Sequence, residues 1–157
     1  MSIEVRKAEE KDLDEVVEMW YDLATDHEKM MEGYDLSENA RENWKDFVEK
    51  GLERNGMCTF VAEDEEELLG FLNVIIRERL AIFKETEIGM ILDVFVKEER
   101  RDEGVGSKLT ERAERWIDEK GVNVAVITVS PENEGGVKFW DDRGYETYLL
   151  KKRVELS

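Results

Sequence analysis

The 157-residue chain predicts a mixed α/β domain in which a central, mostly antiparallel sheet is flanked by helices. Three observations carry this reading. Apolar residues recur at helical spacing through the first third of the chain, then give way to extended, β-branched runs in the middle. The elements follow in the order β-α-α-β-β-β-α-β-α-β, which a mixed sheet covered by helices buries naturally. A dense apolar strand also runs into a loop with two spaced glycines and directly on into a helix.

Taken in order, residues 3–7 read as a short first strand. Asp12 with Glu15 three positions later reads as a capping box, and behind it Leu13, Val16, Val17, Trp20, Leu23 and Ala24 share one helical face. Ser37 is placed to cap a second helix with the stripe Ala40, Trp44, Phe47, Val48 and Leu52, ending near Asn55-Gly56. Residues 57–63 and 68–79 are apolar and extended, and the acidic turn Asp64-Glu65-Glu66-Glu67 joins them as a hairpin. Residues 86–96 form the next strand, ending in Ile91-Leu92-Asp93-Val94-Phe95-Val96. Val105, Leu109, Ala113, Trp116 and Ile117 mark a third helix stopped by Gly121. Residues 122–129 are nearly all apolar, as in a strand buried on both faces. A short helix then runs to about Arg143 and stops at Gly144. Residues 145–154 supply a last strand, whose edge would serve a homodimer if it is free.

Composition bounds the function. A net charge of −17, from 40 acidic and 23 basic residues, opposes nucleic-acid binding and favours cationic small molecules or basic peptides. No apolar run approaches the ~20 residues of a membrane span, and Met1-Ser2-Ile3-Glu4-Val5-Arg6 lacks the blocks of a signal peptide. A cytoplasmic protein with no membrane partner, and a single domain over residues 1–157, is therefore expected. Cys58 and His27 are the only residues of their types, which removes disulfides, thiolate or multi-histidine metal sites, and Ser-His-Asp or Cys-His nucleophile arrangements. No metal is expected, and Cys58 reads as a small core residue.

The strongest chemical signal is Arg101-Asp102-Glu103-Gly104-Val105-Gly106-Ser107 between a strand and a helix. Two glycines relax the steric limits of a tight turn, so successive N–H groups can converge on one anion. The helix that follows leaves its first amides unpaired and turns its positive dipole end to the same point. Ser107 adds a hydroxyl, and Arg100 or Arg101 a cation near the phosphates. The four-residue spacer and Gly-Lys-Ser/Thr order of a nucleotide P-loop are missing, as is the early βαβ unit of a dinucleotide fold.

Three segments, in order and properly spaced, resemble the GNAT superfamily of N-acetyltransferases over nearly the whole chain. Ile3-Glu4-Val5-Arg6-Lys7-Ala8 with Asp12-Leu13 is similar to the family's opening strand and helix. Val96-Lys97-Glu98-Glu99-Arg100-Arg101-Asp102-Glu103-Gly104-Val105-Gly106-Ser107-Lys108-Leu109 resembles its pyrophosphate segment. Asn133-Glu134-Gly135-Gly136-Val137-Lys138-Phe139-Trp140, with Arg143-Gly144-Tyr145, resembles its second cofactor segment. The resemblance implies an acetyl-CoA-dependent N-acetyltransferase whose sheet splays between its fourth and fifth strands. It implies that the pyrophosphate lies on the amides of Arg101, Asp102, Glu103, Gly104, Val105, Gly106 and Ser107. The pantetheine arm would pair with the strand edge at Val94, Phe95 and Val96, and Asn133 would bond the arm.

Two positions depart from the family pattern. Many relatives carry a glutamate where this chain has Leu92, and a tyrosine acid where it has Trp140. Asp93 becomes the candidate base, with binding of substrate or structural capping as its other roles. Trp140 is expected to pack against cofactor or core, leaving Tyr34, Tyr145 or Tyr148, or water alone, to protonate the leaving thiolate. An amine acceptor would enter between the first two helices and the sheet, near an acidic connection in which His27 and Tyr34 are the candidate contacts. A non-catalytic acyl-CoA sensor with the same fold is the alternative, favoured by Leu92 and Trp140.

Overall fold

The computed structural model describes residues 2–157. Its elements are β1 (Glu4–Lys7), α1 (Leu13–Met30), α2 (Ala40–Gly51), β2 (Met57–Asp64), β3 (Glu67–Glu78), β4 (Glu87–Val96), α3 (Val105–Glu119), β5 (Ala125–Ile127) and α4 (Glu134–Asp142). Short 3-10 turns occupy Glu10–Asp12 and Glu98–Arg100. The strands lie side by side in chain order, antiparallel from β1 to β4, with β5 added parallel to β4. The mixed, mostly antiparallel sheet read from the sequence is the one observed.

Alternation along the strands gives each face of the sheet its own cover. Phe60, Leu72, Val74 and Ile91 turn to α3 and pack with Leu109, Ala113, Trp116 and Ile117. Val61, Phe71 and Phe95 turn to the opposite face, where α1 brings Val16 and Met19 and α2 brings Trp44. Trp20 and Trp44 stack with ring centroids 4.9 Å apart and tie α1 to α2. The apolar stripes of the three helices therefore lie where their 3.6-residue period places them, except that Phe47, expected in the α2 stripe, is exposed. No helix among the described residues is long and apolar enough to cross a membrane.

Four local expectations are corrected. The Asp12–Glu15 capping box does not form, because Asp12 is already engaged. Its carboxylate accepts from Arg6 Nη1 and Nη2 at 2.8 and 3.0 Å and from the Glu9 N–H at 2.8 Å. Glu15 reaches Lys97 Nζ instead, at 3.1 Å. Ser37 stands too far upstream to cap α2; only its carbonyl takes part, accepting from the Ala40 N–H at 3.2 Å. Residues 122–129 are not buried on both faces, since β5 is a three-residue edge strand and is only half-buried. The last strand at 145–154 is absent; that segment carries no regular structure, and Tyr148, Leu149, Leu150 and Val154 are exposed. An edge as short as β5 offers too few main-chain groups to hold a sixth strand, and Gly144 (φ 89°) and the Tyr145 N–H, bonded back to Trp140, turn the chain away. The homodimer expected through that strand loses its structural basis with it.

Arg6 also holds Glu63 on β2 at 3.0 Å, so one guanidinium joins β1, β2 and the entry to α1. Bonding to Arg6, and then to the Glu9 amide, holds the buried Asp12 carboxyl below its ordinary range. The stability this contributes is complete above about pH 4, the carboxyl's unfolded value, and is lost as pH falls through the lower folded value. Asp12→Asn should cost about 1–3 kcal/mol at neutral pH, as expected when a charge-assisted, part-buried pair loses one partner. Denaturant unfolding at neutral and acid pH should show that this cost shrinks in acid, where the wild-type carboxyl also becomes neutral.

Candidate functional site

The site begins with a break in main-chain pairing. β5 follows β4 only through Gly89↔Ala125, Met90↔Val126 and Ile91↔Ile127. Immediately beyond, the register with β3 jumps from Val74↔Ile91 to Asn73↔Asp93, so Leu92 is an extra residue in β4. A bulge of this kind bends a strand and increases its twist, and here it coincides with the point where β4 and β5 part. The expected splay between the fourth and fifth strands is present.

Past the bulge, hydrogen-bond alternation shows which groups of β4 are left open. Lys97 N–H donates to the Leu69 carbonyl at 2.8 Å. In an antiparallel pair the bonded positions alternate, so Phe95 directs its main chain at β3 while Val94 and Val96 direct theirs to the vacated edge. Phe95 turns its ring into the α1–α2 core beside Phe71. Of the three expected edge residues, Val94 and Val96 thus present main-chain groups, and Phe95 anchors the strand. The Val96 carbonyl accepts from Arg101 Nε at 2.9 Å.

The loop that follows is built to expose amides. Asp102 (φ 67°) and Gly104 (φ 84°) both take left-handed backbone conformations, and a Cβ placed on Gly104 would meet no atom within 4 Å. The first bond of α3 runs from the Lys108 N–H to the Gly104 carbonyl at 3.1 Å. Among the described residues, the main-chain amides from Asp102 through Ser107 have no intramolecular acceptor. They stand at the positive end of a 15-residue helix, the ordinary setting for an anion. Buried Val105 fixes the loop to the core, and the Phe139 ring closes one side, 3.4 Å from where a Gly106 Cβ would stand.

Of the two arginines expected as alternatives for the cation, one is engaged elsewhere. Arg100 is not turned to the amides. It bridges Asp64 and Glu67 at the ends of the β2–β3 hairpin, at 3.0 and 2.9 Å, and bonds Glu103 at 3.2 Å. Arg100 thereby fixes the loop to the hairpin and draws the Glu103 carboxylate to itself. Arg101, exposed and folded against the end of β4, is the cation of the pair that lies at the open edge.

Asn133 heads α4, its Oδ1 accepting from the Gly136 N–H at 3.0 Å, which leaves the amide nitrogen to donate elsewhere. Trp140 lies in the α3-side core between Phe139 and Tyr145, with ring centroids 4.9 and 5.0 Å away. Its expected packing in the core is observed. Tyr145 is excluded as a proton donor to the slot: its hydroxyl donates to Glu114 Oε2 at 2.7 Å, and burial together with that bond pushes its pKa far up. Tyr148 projects from the exposed C-terminal segment. His27 and Tyr34 meet edge-on at the end of α1, with centroids 6.4 Å apart, and among the described residues neither bonds to β4. Cys58 is buried and its thiol is pushed up by desolvation, which makes it core rather than nucleophile.

Asp93 lies two residues from Phe95 and so on the α1–α2 face of the sheet. Burial raises its carboxyl to about 6, opposed only by the amide of Asn73. The sequence reading missed Asn73, Phe139 and the bulge at Leu92. Asn73 had a visible signal, as the single polar side chain between Leu68 and Ile76.

Comparison with known proteins places this geometry. A family model described as "Acetyltransferase (GNAT) family" matches residues 16–145. A protein of Archaeoglobus fulgidus named an uncharacterized N-acetyltransferase is 28% identical over 138 residues, covering 88% of this chain and 89% of its own. A transcriptional regulator from Bacillus halodurans C-125 superposes with a TM-score of 0.80 at 19% identity, over 99% of this chain and 100% of the other. An aminoglycoside N-acetyltransferase solved in complex with CoA gives 0.78 at 20% identity, over 99% and 96%.

The raised carboxyl has a consequence for stability. Below about pH 4 Asp93 is protonated whether the chain is folded or not, and folding carries no penalty from it. Above about pH 6 it must be ionised in a site that resists ionisation, so stability falls across that window. Asp93→Asn should therefore stabilise the protein by up to roughly 3 kcal/mol at neutral pH and by little at pH 4. Melting temperatures of the two proteins across this range would test it; a variant less stable than wild type at neutral pH would refute it.

Proposed function

Since the chain belongs to the acetyltransferase (GNAT) family, we propose that it moves an acetyl group from acetyl-CoA to a primary amine by direct attack on the thioester, without a covalent enzyme intermediate. The observation that carries this reading is the run of unpartnered amides from Asp102 through Ser107 beside the open edge of β4. The fit is in the donor set: a diphosphate needs several convergent donors, and this loop supplies main-chain N–H groups at a helix N-terminus with no Cβ at Gly104 to obstruct them.

In this reading the amides of Asp102, Glu103, Gly104, Val105, Gly106 and Ser107 hold the diphosphate; the Arg101 N–H, expected among them, is already given to the Glu98 carbonyl at 3.3 Å, so Arg101 contributes its guanidinium instead. Val94 and Val96 offer their main-chain groups to the pantetheine arm, Asn133 donates from its amide nitrogen, and Phe95 and Trp140 support the slot from the two cores. Bound acetyl-CoA supplies the activated acyl group as a thioester. The open edge holds the carbonyl against fixed dipoles, and the slot brings both reactants into line. One domain, residues 1–157, suffices for this.

The amine must lose a proton. With a pKa near ~10.4 it is neutral in about one molecule in 2,500 at pH 7, a penalty of roughly 4.6 kcal/mol. Asp93, raised to about 6, is still mostly ionised at neutral pH yet about two units more basic than an exposed aspartate. It is the base of this proposal, directly or through water, and the C–S bond breaks as the amide bond forms, the CoA thiolate leaving with water as its proton donor. His27 and Tyr34 contact the acceptor at the end of α1. The acceptor is a small-molecule amine or a basic peptide, in keeping with the charge of −17 and with the amine-bearing substrates of the aminoglycoside acetyltransferase among the structural neighbours. The alternative is an acyl-CoA sensor without turnover, favoured by the removal of Trp140 and Tyr145 into the core.

Acetyl-CoA should raise the melting temperature of the wild-type protein and leave that of Gly104→Asp unchanged, because an aspartate there is strained at φ 84° and adds a carboxylate to the anion site. Isothermal titration that detects no CoA binding would sink the reading. Consumption of acetyl-CoA against polyamines, amino acids and basic peptides decides between enzyme and sensor; tight binding with no turnover across the panel favours the sensor. For the enzyme, kcat/KM should fall on the acid side near pH 6. Asp93→Asn should lower it about 10²–10⁴-fold, the usual contribution of a positioned base.

A further inference from the structure

The α1–α2 face of the sheet carries one polar row among apolar ones. Thr59 on β2, Asn73 on β3 and Asp93 on β4 stand opposite one another in register. On one side the neighbouring row is Val61, Phe71 and Phe95; on the other it begins with Met57 and Ile75. Thr59 and Asn73 are fully buried, whereas Asp93, at the end of the row, is the member with access to solvent. Such a row is costly in an otherwise apolar layer unless its groups serve one another.

The row has a direction. Thr59 Oγ1 donates to Asn73 Oδ1 at 3.0 Å, which fixes the amide with its oxygen toward β2 and its nitrogen on the side of β4. Asn73 Nδ2 is buried and makes no hydrogen bond of good geometry among the described residues, although its amide stands close enough to Asp93 to hold that carboxyl down. An orphaned buried donor is rare in a folded protein, and this one stands in register with a carboxylate. We propose that Asn73, held in one orientation by Thr59, is the positioning residue of Asp93, its Nδ2–H donating to the carboxylate as the acceptor's proton is taken up and released. This rests on Asp93 acting as the base.

With Oδ1 turned to Thr59, the group that Asn73 presents on the side of Asp93 is a donor and not an acceptor. It therefore favours the ionised carboxylate and opposes retention of the proton, which returns the base to its working state after each transfer. Without that donor, burial alone would push the carboxyl higher. From α1, α2 and β3, the elements on this face, no titratable side chain acts on Asp93; the Asn73 amide is the one side chain that does.

The experiment is a carbon-detected NMR titration of the Asp93 carboxyl in full-length wild type, Thr59→Val, Thr59→Ser and Asn73→Leu, alongside kcat/KM against pH with acetyl-CoA and a polyamine. Asn73→Leu removes the donor, and Thr59→Val frees the amide to turn its oxygen toward Asp93. Both should raise the Asp93 midpoint by about one unit, a tenfold change in proton affinity, and carry the acid limb of kcat/KM with it. Thr59→Ser, which keeps the hydroxyl, should restore the wild-type midpoint. An unmoved midpoint in folded Thr59→Val overturns the proposal, even if its melting temperature falls, since that would be a packing effect alone. The carboxyl titration needs no acceptor. A shifted midpoint with no turnover across the panel of polyamines, amino acids and basic peptides upholds the effect of Asn73 on Asp93 and sinks the acetyltransferase reading; turnover with an unmoved midpoint does the reverse.

Discussion

Main-chain hydrogen bonding is the constraint on which the rest of this structure depends. Backbone donors and acceptors in a folded chain must find partners, and here a contiguous set is left without them by design of the fold. β4 loses β5 after Ile91, and α3 starts before its first amides have carbonyls to bond. The two gaps are adjacent in sequence and in space, because only the Glu98–Arg100 turn and the glycine loop separate the strand from the helix. The extra residue at Leu92 marks where the first gap opens, and the left-handed turns at Asp102 and Gly104 shape the second. Arg100 holds the loop by binding the β2–β3 hairpin, so the amides stand on fixed supports rather than on a free loop.

The two faces of the sheet contribute differently. The α3 face is mainly apolar and takes in Trp140, which stands where many relatives carry a tyrosine acid. Its work is to set the angle of α3 and the height of the loop. The α1–α2 face contains the polar row that ends in Asp93. Ionising that carboxyl works against stability above about pH 6, and the same resistance makes it a better proton acceptor than an exposed aspartate. Stability given up at this position and basicity gained there have one cause, desolvation.

Much of this was legible in the sequence, and what escaped had a common character. Helical stripes such as Leu13, Val16 and Val17 or Leu109, Ala113 and Trp116 were readable because burial is periodic. The glycine loop was readable because positive φ and close approach restrict residue type. The misreadings came where a long-range partner overrode a local pattern. Asp12 fits a cap, but Arg6 from β1 claims its carboxylate; Arg100 and Arg101 look interchangeable in sequence, but Asp64 and Glu67 from the β2–β3 hairpin engage Arg100. Residues 145–154 carry enough apolar and aromatic residues to read as a strand, yet a strand requires an edge, and β5 is three residues long. The bulge at Leu92 leaves no trace in composition, since it is defined by the register of its neighbour. Asn73 did leave one, a lone amide in an apolar strand, whose meaning depended on knowing that Thr59 and Asp93 lie across from it.

A chain of net charge −17 is an unpromising host for a polyanion, and the loop itself contains Asp102 and Glu103. The arrangement resolves this locally. Interactions between exposed charges fade over about 8–10 Å at ordinary ionic strength, whereas main-chain dipoles at a helix start act at hydrogen-bond distance. Arg100 draws the Glu103 carboxylate to itself at 3.2 Å, and the first turn of α3 contains no acidic residue. Attraction at this site therefore comes from oriented amides, with net charge acting as an opposing background. That background has the opposite sign for a cationic amine. The same molecule can thus hold an anion through local geometry and draw a cation through its overall field, which is the combination that acetyl transfer from CoA to an amine requires.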